Sequence, residues 1–157
     1  MFDFYDYSSA RFLDALADLY EKQGYAVSFL PFTYSCDFLP LLGQTTASRT
    51  VEIGADADFV ATMFNAVTYD ATPGDNGELI MARLLCSVVV DNNQRSLTNI
   101  PTTIQNVYGT GPRPGQLFKP LILPANSTMT VQLQNVDLGD YNVRLSHVGV
   151  KAFLAQQ

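Results

Sequence analysis

A single histidine, His147, limits the catalysis open to this chain, because any Ser-His-Asp or Cys-His mechanism has to pass its proton through that one ring. Its neighbours Val143, Leu145, Val148 and Val150 are core-like, so a structural strand histidine is expected, bonded to a nearby group or facing solvent. One imidazole also falls short of the several that an imidazole-rich metal site in a β-sandwich requires. Two acidic stretches offer oxygens instead. Asp56 and Asp58 flank Ala57, and Asp75, Asn76 and Glu78 crowd a glycine turn. Calcium takes roughly six to eight oxygen ligands, and neither stretch has the register of a calcium loop, so solvated turn residues are expected. The sequence assigns no catalytic residue, no metal ligand and no cofactor.

The segment Gly109-Thr110-Gly111-Pro112-Arg113-Pro114-Gly115 is the most distinctive loop. A phosphate cradle needs successive free N–H groups and a following Lys with Ser or Thr, whereas the two prolines here remove donors. A stiff, extended excursion is expected, with Arg113 held out between the prolines and suited to a carboxylate or to backbone carbonyls of a partner. Cys36 and Cys86 are too few for a disulfide scaffold and lack zinc spacing; reduced, buried thiols are expected, with a single bridge left open. Asn126-Ser127-Thr128 matches a glycosylation acceptor but reads more simply as a turn.

Elements that would carry these residues follow from periodicity. Ser8 or Ser9 can cap a helix of about 14 residues, in which Phe12, Leu13, Leu16, Leu19 and Tyr20 share one face before Gly24 stops it. Beyond Gly24 the pattern is β-branched and aromatic runs between turns. The expected strands are Val27–Phe32, Arg49–Ile53, Phe59–Tyr69, Leu79–Val90, Thr102–Tyr108, Lys119–Leu123, Thr128–Asn135 and Tyr141–Leu154. About eight strands without interleaved helices predict a mainly β, jelly-roll-like antiparallel sandwich with one N-terminal amphipathic helix. Residues 1–26 form the arm and helix, and residues 27–157 a single sandwich domain.

The bulk composition narrows the function. The chain has 157 residues, 47% hydrophobic and only 15% charged, with a formal net charge of −6. That is enough to close one core and too apolar for disorder. The acidic balance, without a Lys/Arg cluster, argues against nucleic-acid binding. No apolar run approaches the ~20 residues of a membrane span. Met1–Tyr7 lacks the basic and apolar regions of a secretory signal, so the mature chain is expected to start there. Phe2, Phe4, Tyr5 and Tyr7 crowd the first seven positions, a composition that a solvated tail rarely has. An arm that docks is expected, onto a neighbouring protein or onto its own sandwich, and Phe2, Phe4, Tyr5, Tyr7, Phe12, Leu16 and Arg113 become the candidate interface residues.

Several short motifs then occur in order: an alternating strand from Arg49, Ala55-Asp56-Ala57-Asp58-Phe59, Leu97-Thr98-Asn99-Ile100-Pro101, the glycine-proline loop ending at Lys119-Pro120, Pro124-Ala125-Asn126-Ser127, Val131-Gln132-Leu133-Gln134-Asn135 and Val148-Gly149-Val150-Lys151. Together they span about two-thirds of the chain. The order resembles small structural proteins of tailed-bacteriophage virions, of jelly-roll type. That resemblance implies a noncatalytic virion protein, most plausibly a capsid decoration or cement protein on the capsid exterior, with the major capsid protein or other virion subunits as partners. A homo-oligomer is expected, a trimer fitting local threefold positions. The competing readings are a tail, neck or baseplate adaptor and a glycan-binding module. One compositional feature points to a surface. From Val27 to Ser48 the chain holds a single charge, Asp37, which marks that run as either subunit interface or core.

Overall fold

The computed structural model describes residues 4–72, 79–90 and 95–156. In chain order the elements are α1 (Phe4–Lys22), β1 (Tyr25–Leu41), β2 (Thr46–Glu52), β3 (Asp58–Asp70), β4 (Leu84–Val90), β5 (Arg95–Ser96), β6 (Thr102–Thr103), α2 (Ile104–Tyr108), β7 (Gly109–Thr110), β8 (Arg113–Leu123), β9 (Thr128–Asn135) and β10 (Tyr141–Gln156). First and last strands pair, then second and second-to-last: β1 with β10, β2 with β9, β3 with β8, and β4 with β5, all antiparallel. The chain is thus one long two-stranded ribbon folded near its middle. Rolling that ribbon up adds the pairs β10–β3 and β9–β4. The result is two sheets, β1-β10-β3-β8-β7 and β2-β9-β4-β5, which is the strand order of a jelly roll.

Alternation decides which side chains meet between the sheets. Met129, Val131, Leu133 and Asn135 of β9 are buried while the residues between them are not, as the period of two in Thr128–Asn135 predicts. Phe38 of β1, Phe59 and Phe64 of β3 and Val143 and Leu145 of β10 face them from the other sheet. Burying each such side chain contributes roughly 1.5–3 kcal/mol, which makes this layer the main source of stability. A second, smaller cluster lies on the opposite face of the β1-containing sheet. There Leu16 of α1 is buried against Val60 and Ala152, with Phe12, Leu13 and Tyr20 beside it.

Strand starts shift at Thr46, Leu84 and Arg113 against the expected Arg49, Leu79 and Lys119, and four further differences bear on the packing. Helix α1 begins at Phe4, so Ser8 and Ser9 lie within it rather than at its cap. Strand β1 runs 17 residues instead of stopping at Phe32, because Pro31 sits on a sheet edge where its missing N–H costs no ladder bond. Of the expected strand Thr102–Tyr108, only Thr102 and Thr103 are extended; Ile104 and Tyr108, four apart, are buried together by one helical turn. The glycine-proline segment is a tight hairpin, not an extended excursion: Gly109 pairs with Pro114 and Thr110 with Arg113, leaving Gly111 and Pro112 as the turn. A Cβ on Gly109 or Gly115 would collide with the facing backbone, which explains both glycines.

Candidate functional site

His147 is wholly buried on β10. Its Nε2 lies 2.8 Å from the Tyr108 hydroxyl and its Nδ1 3.3 Å from the Tyr34 carbonyl, with the Phe64 ring edge-on at 4.8 Å. Because the carbonyl can only accept, Nδ1 carries the proton and the Tyr108 hydroxyl donates to Nε2. Burial pushes the histidine pKa down to about 4, partly opposed by the bond to Tyr34. Both ring nitrogens are engaged inside the core, away from any substrate path, so this is the structural histidine that its flanks indicate.

The acidic pair also serves the fold. Asp56 holds the Lys151 ammonium at 2.8 and 3.0 Å, and that cation lies 4.4 Å from the centre of the Phe32 ring. The Asp56 carboxyl is held below its usual pKa mainly by that hydrogen bond. Asp58 accepts the Ala125 N–H at 2.8 Å and the Tyr20 hydroxyl at 3.4 Å, tying α1 to the turn before β9. Asp56 is the exposed turn residue expected, with an added ion pair, whereas Asp58 opens β3 as a partly buried strut. Asp75, Asn76 and Glu78 lie outside the described residues. Among the described residues no group of three or more His, Cys, Asp or Glu side chains is placed to hold a metal ion. Cys36 and Cys86 are free and buried, and burial raises their thiol pKa values to about 11 and about 12. No helix among the described residues is long and apolar enough to cross a membrane.

The nominated interface residues separate into three places. Phe2 lies outside the described residues. Phe4, Tyr5 and Tyr7 fall in the first turns of α1, whereas Phe12 and Leu16 pack against the same chain's sheet. Arg113 is exposed at the start of β8 and outside the ion pairs formed among the described residues. The structure does not bring Arg113 together with α1.

What sequence reasoning did not name individually is the apolar surface along and beyond β1. Leu30, Phe32 and Leu39 on the strand and Leu42 just after it are exposed, although Cys36, Phe38 and Leu41 of the same stretch are buried. The charge-poor run Val27–Ser48 is therefore core on one side and bare surface on the other. The signal was present in its missing charges. At the end where β1 finishes, Met81 and Leu138 are 78% and 84% exposed. They are held there because Val136 N–H bonds the Arg83 carbonyl, Arg83 pairs with Asp137 at 2.6 Å, and Gly43 packs against the Leu138 backbone. A cavity of about 220 Å³ beside Met81 is bounded by Thr68, Ile104, Gln105 and the Gly109–Pro112 turn.

These features define a jelly-roll-like β-sandwich with an apolar, sparsely charged edge. No protein-family model matches the chain, and no curated protein matches it. Among solved structures it is similar to a Yersinia pseudotuberculosis-derived mitogen at 11% identity, covering 76% of this chain and 86% of that one with a TM-score of 0.36. It is also similar to a chain of the cyanophage Pam1 capsid asymmetric unit at 10% identity, covering 81% and 84% with a TM-score of 0.36. A third similarity is to the decameric BFDV capsid protein at 10% identity, covering 80% and 98% with a TM-score of 0.32. At these scores the similarities assign neither a family nor a function.

Proposed function

We propose that this chain is a noncatalytic structural subunit of a virion, acting on the capsid exterior as a decoration or cement protein that bridges shell subunits. The observation that carries the reading is the composition and exposure of β1: a long sheet edge with one charge that leaves Leu30, Phe32, Leu39 and Leu42 in solvent. Large exposed apolar side chains grouped on one edge mark a protein-contact surface. The ordered motifs from Arg49 onward, which resemble tailed-phage virion proteins, supply the setting. A shell under internal pressure gains stability from any subunit whose contacts must break before the lattice opens, and such work needs area rather than chemistry. The buried His147 and the bonds that Asp56 and Asp58 make within the fold agree with a scaffold in which polar groups serve packing.

The experiment is to add purified, gold-labelled protein to particles lacking it and locate the label by electron microscopy, with copy number measured at saturation. Label covering the shell at lattice-related positions is expected, together with a higher temperature of DNA release. Label confined to the tail or neck would make the protein an adaptor. Absence of binding to any part of the particle would overturn the virion role. Replacing Leu39 and Leu42 by glutamate is expected to abolish saturation.

A further inference from the structure

We infer that the outer edge of Tyr25–Thr33 is a self-association surface, on which β1 of a second copy of this chain adds antiparallel to β1 and continues the sheet across a two-fold axis.

Among the described residues, strand β1 pairs with β10 on one side only. The direction of its backbone groups can be read from two residues. The Asp37 carbonyl accepts a bond at 3.2 Å from Arg49 Nε of β2, so odd-numbered residues point away from β10; Pro31, which has no N–H, falls on the same parity. Backbone N–H and C=O groups of Val27, Phe29 and Thr33, and the C=O of Pro31, therefore form an open row about 23 Å long over seven residues. The other half of β1 is tied to β2 and the residues after it, through Arg49 Nε on the Asp37 carbonyl and through the Tyr34 hydroxyl that accepts the Gly54 N–H at 3.0 Å. Only the first half is available.

Charge selects the occupant. A chain of net charge −6 repels its own copy, and antiparallel two-fold pairing sets residues opposite copies from the same short segment, so any charge there meets its like. From Tyr25 to Cys36 there is none. Elsewhere edges carry charge: Arg49 and Glu52 on β2 and Arg95 on β5. Long natural edges are ordinarily protected by inward lysines, bulges or several prolines. Here Pro31 is the single such device, and Leu30 and Phe32 beside it are 53% and 37% exposed, ready to be covered by the partner's equivalent face. This two-fold arrangement replaces the threefold one expected from the sequence.

The test uses the purified full-length chain. Light scattering across micromolar to submillimolar concentrations is expected to show the mass rising from one chain to two, while hydrogen exchange at the Val27, Phe29 and Thr33 amides slows in step. Thr33→Pro removes one outward N–H without touching the ladder to β10, and Leu30→Lys places like charges in the pair. Each is expected to return the mass to one chain with thermal unfolding at low concentration unchanged. A single-chain mass at the highest concentration, a three-chain mass, or exchange at those amides that ignores concentration would overturn the proposal. Should Thr33→Pro fail to fold, Leu30→Lys and the exchange data decide. A protein that dimerises but binds no particle leaves this surface standing and removes the virion role.

Discussion

The Tyr108 hydroxyl and His147 Nε2, 39 residues apart in sequence, meet at 2.8 Å inside a core that admits no carboxylate to either of them. Phe64 stacks on the Tyr108 ring at 5.1 Å and meets the His147 ring edge-on. The pair locks helix α2 to β10. The pair favours the neutral imidazole, because burial deprives a protonated ring of the solvation its charge needs.

Acid should therefore weaken the fold in a defined window. The folded pKa of His147 is about 4 against 6.5 for an unhindered imidazole, so below 6.5 the unfolded chain takes up a proton that the folded chain refuses. Stability is fully present above pH 6.5 and is lost as pH falls toward the folded value, by roughly 3 kcal/mol over the whole interval. Urea melts between about pH 7.5 and 4.5 read this directly. The slope should flatten in His147→Gln, which keeps an acceptor for Tyr108 and cannot titrate; an unchanged slope would assign the loss to other groups. Asp37, Asp56, Asp70 and Asp137 are all held below the ordinary 3.8, so their losses add only at lower pH.

How much of this was legible depended on the range of the interaction. Strand β9 could be read from its alternation, and the His147 environment from its flanking valines and leucine, since both signals are local. The two-sheet architecture followed from turn spacing, although ten strands stand where about eight were expected. By contrast, Tyr108 seemed to end a strand, because the i, i+4 spacing of Ile104 and Tyr108 is too short to announce a helix on its own. The Lys151–Asp56 and Tyr20–Asp58 contacts join residues 95 and 38 apart, and nothing local encodes such pairings. For the surface the compositional clue was right in place and silent in detail: absent charge in Val27–Ser48 marked the edge, but only the register of β1 on β10 separates exposed Leu30 from buried Cys36.

Asn135 is the second buried polar side chain whose loss should be costly. Its amide nitrogen donates to the carbonyls of Leu42 at 3.2 Å and Gly139 at 2.8 Å, while its oxygen accepts the Asp137 N–H at 3.0 Å. One side chain thus clamps the β1–β2 connection to the β9–β10 turn. Asn135→Ala leaves those groups unpaired and should lower stability by about 2–4 kcal/mol, read by chemical denaturation. Asn135→Asp removes the donors and sets a buried carboxylate against those carbonyls, and should cost at least as much.

Gly149 permits the closest approach of β10 to β3. A Cβ there would lie 2.0 Å from the Val60 carbonyl oxygen, at the point where the register shifts between Val148 and Gly149. The obstacle is backbone, which cannot rotate away. Gly149→Ala should force the two strands apart and cost about 3 kcal/mol or more, whereas Gly24→Ala, with open space around it and a positive φ of 84°, should cost only the smaller strain of a left-handed alanine. Comparable losses in both variants would contradict the packing argument.

Leu16 tests whether α1 is a separable layer. The helix contributes one buried side chain to a cluster with Val60 and Ala152 that is distinct from the intersheet core, and a 19-residue helix is marginal without such support. Leu16→Ala should remove about 2–4 kcal/mol of docking energy and let α1 open while the sandwich stays closed. Native-state hydrogen exchange is the measurement. Amides of Phe12–Lys22 should exchange much faster in the variant, those of β9 should not, and removing the Tyr20–Asp58 contact with Tyr20→Phe should produce a smaller shift in the same direction. Equal acceleration in α1 and β9 would show that helix and sandwich unfold as one unit.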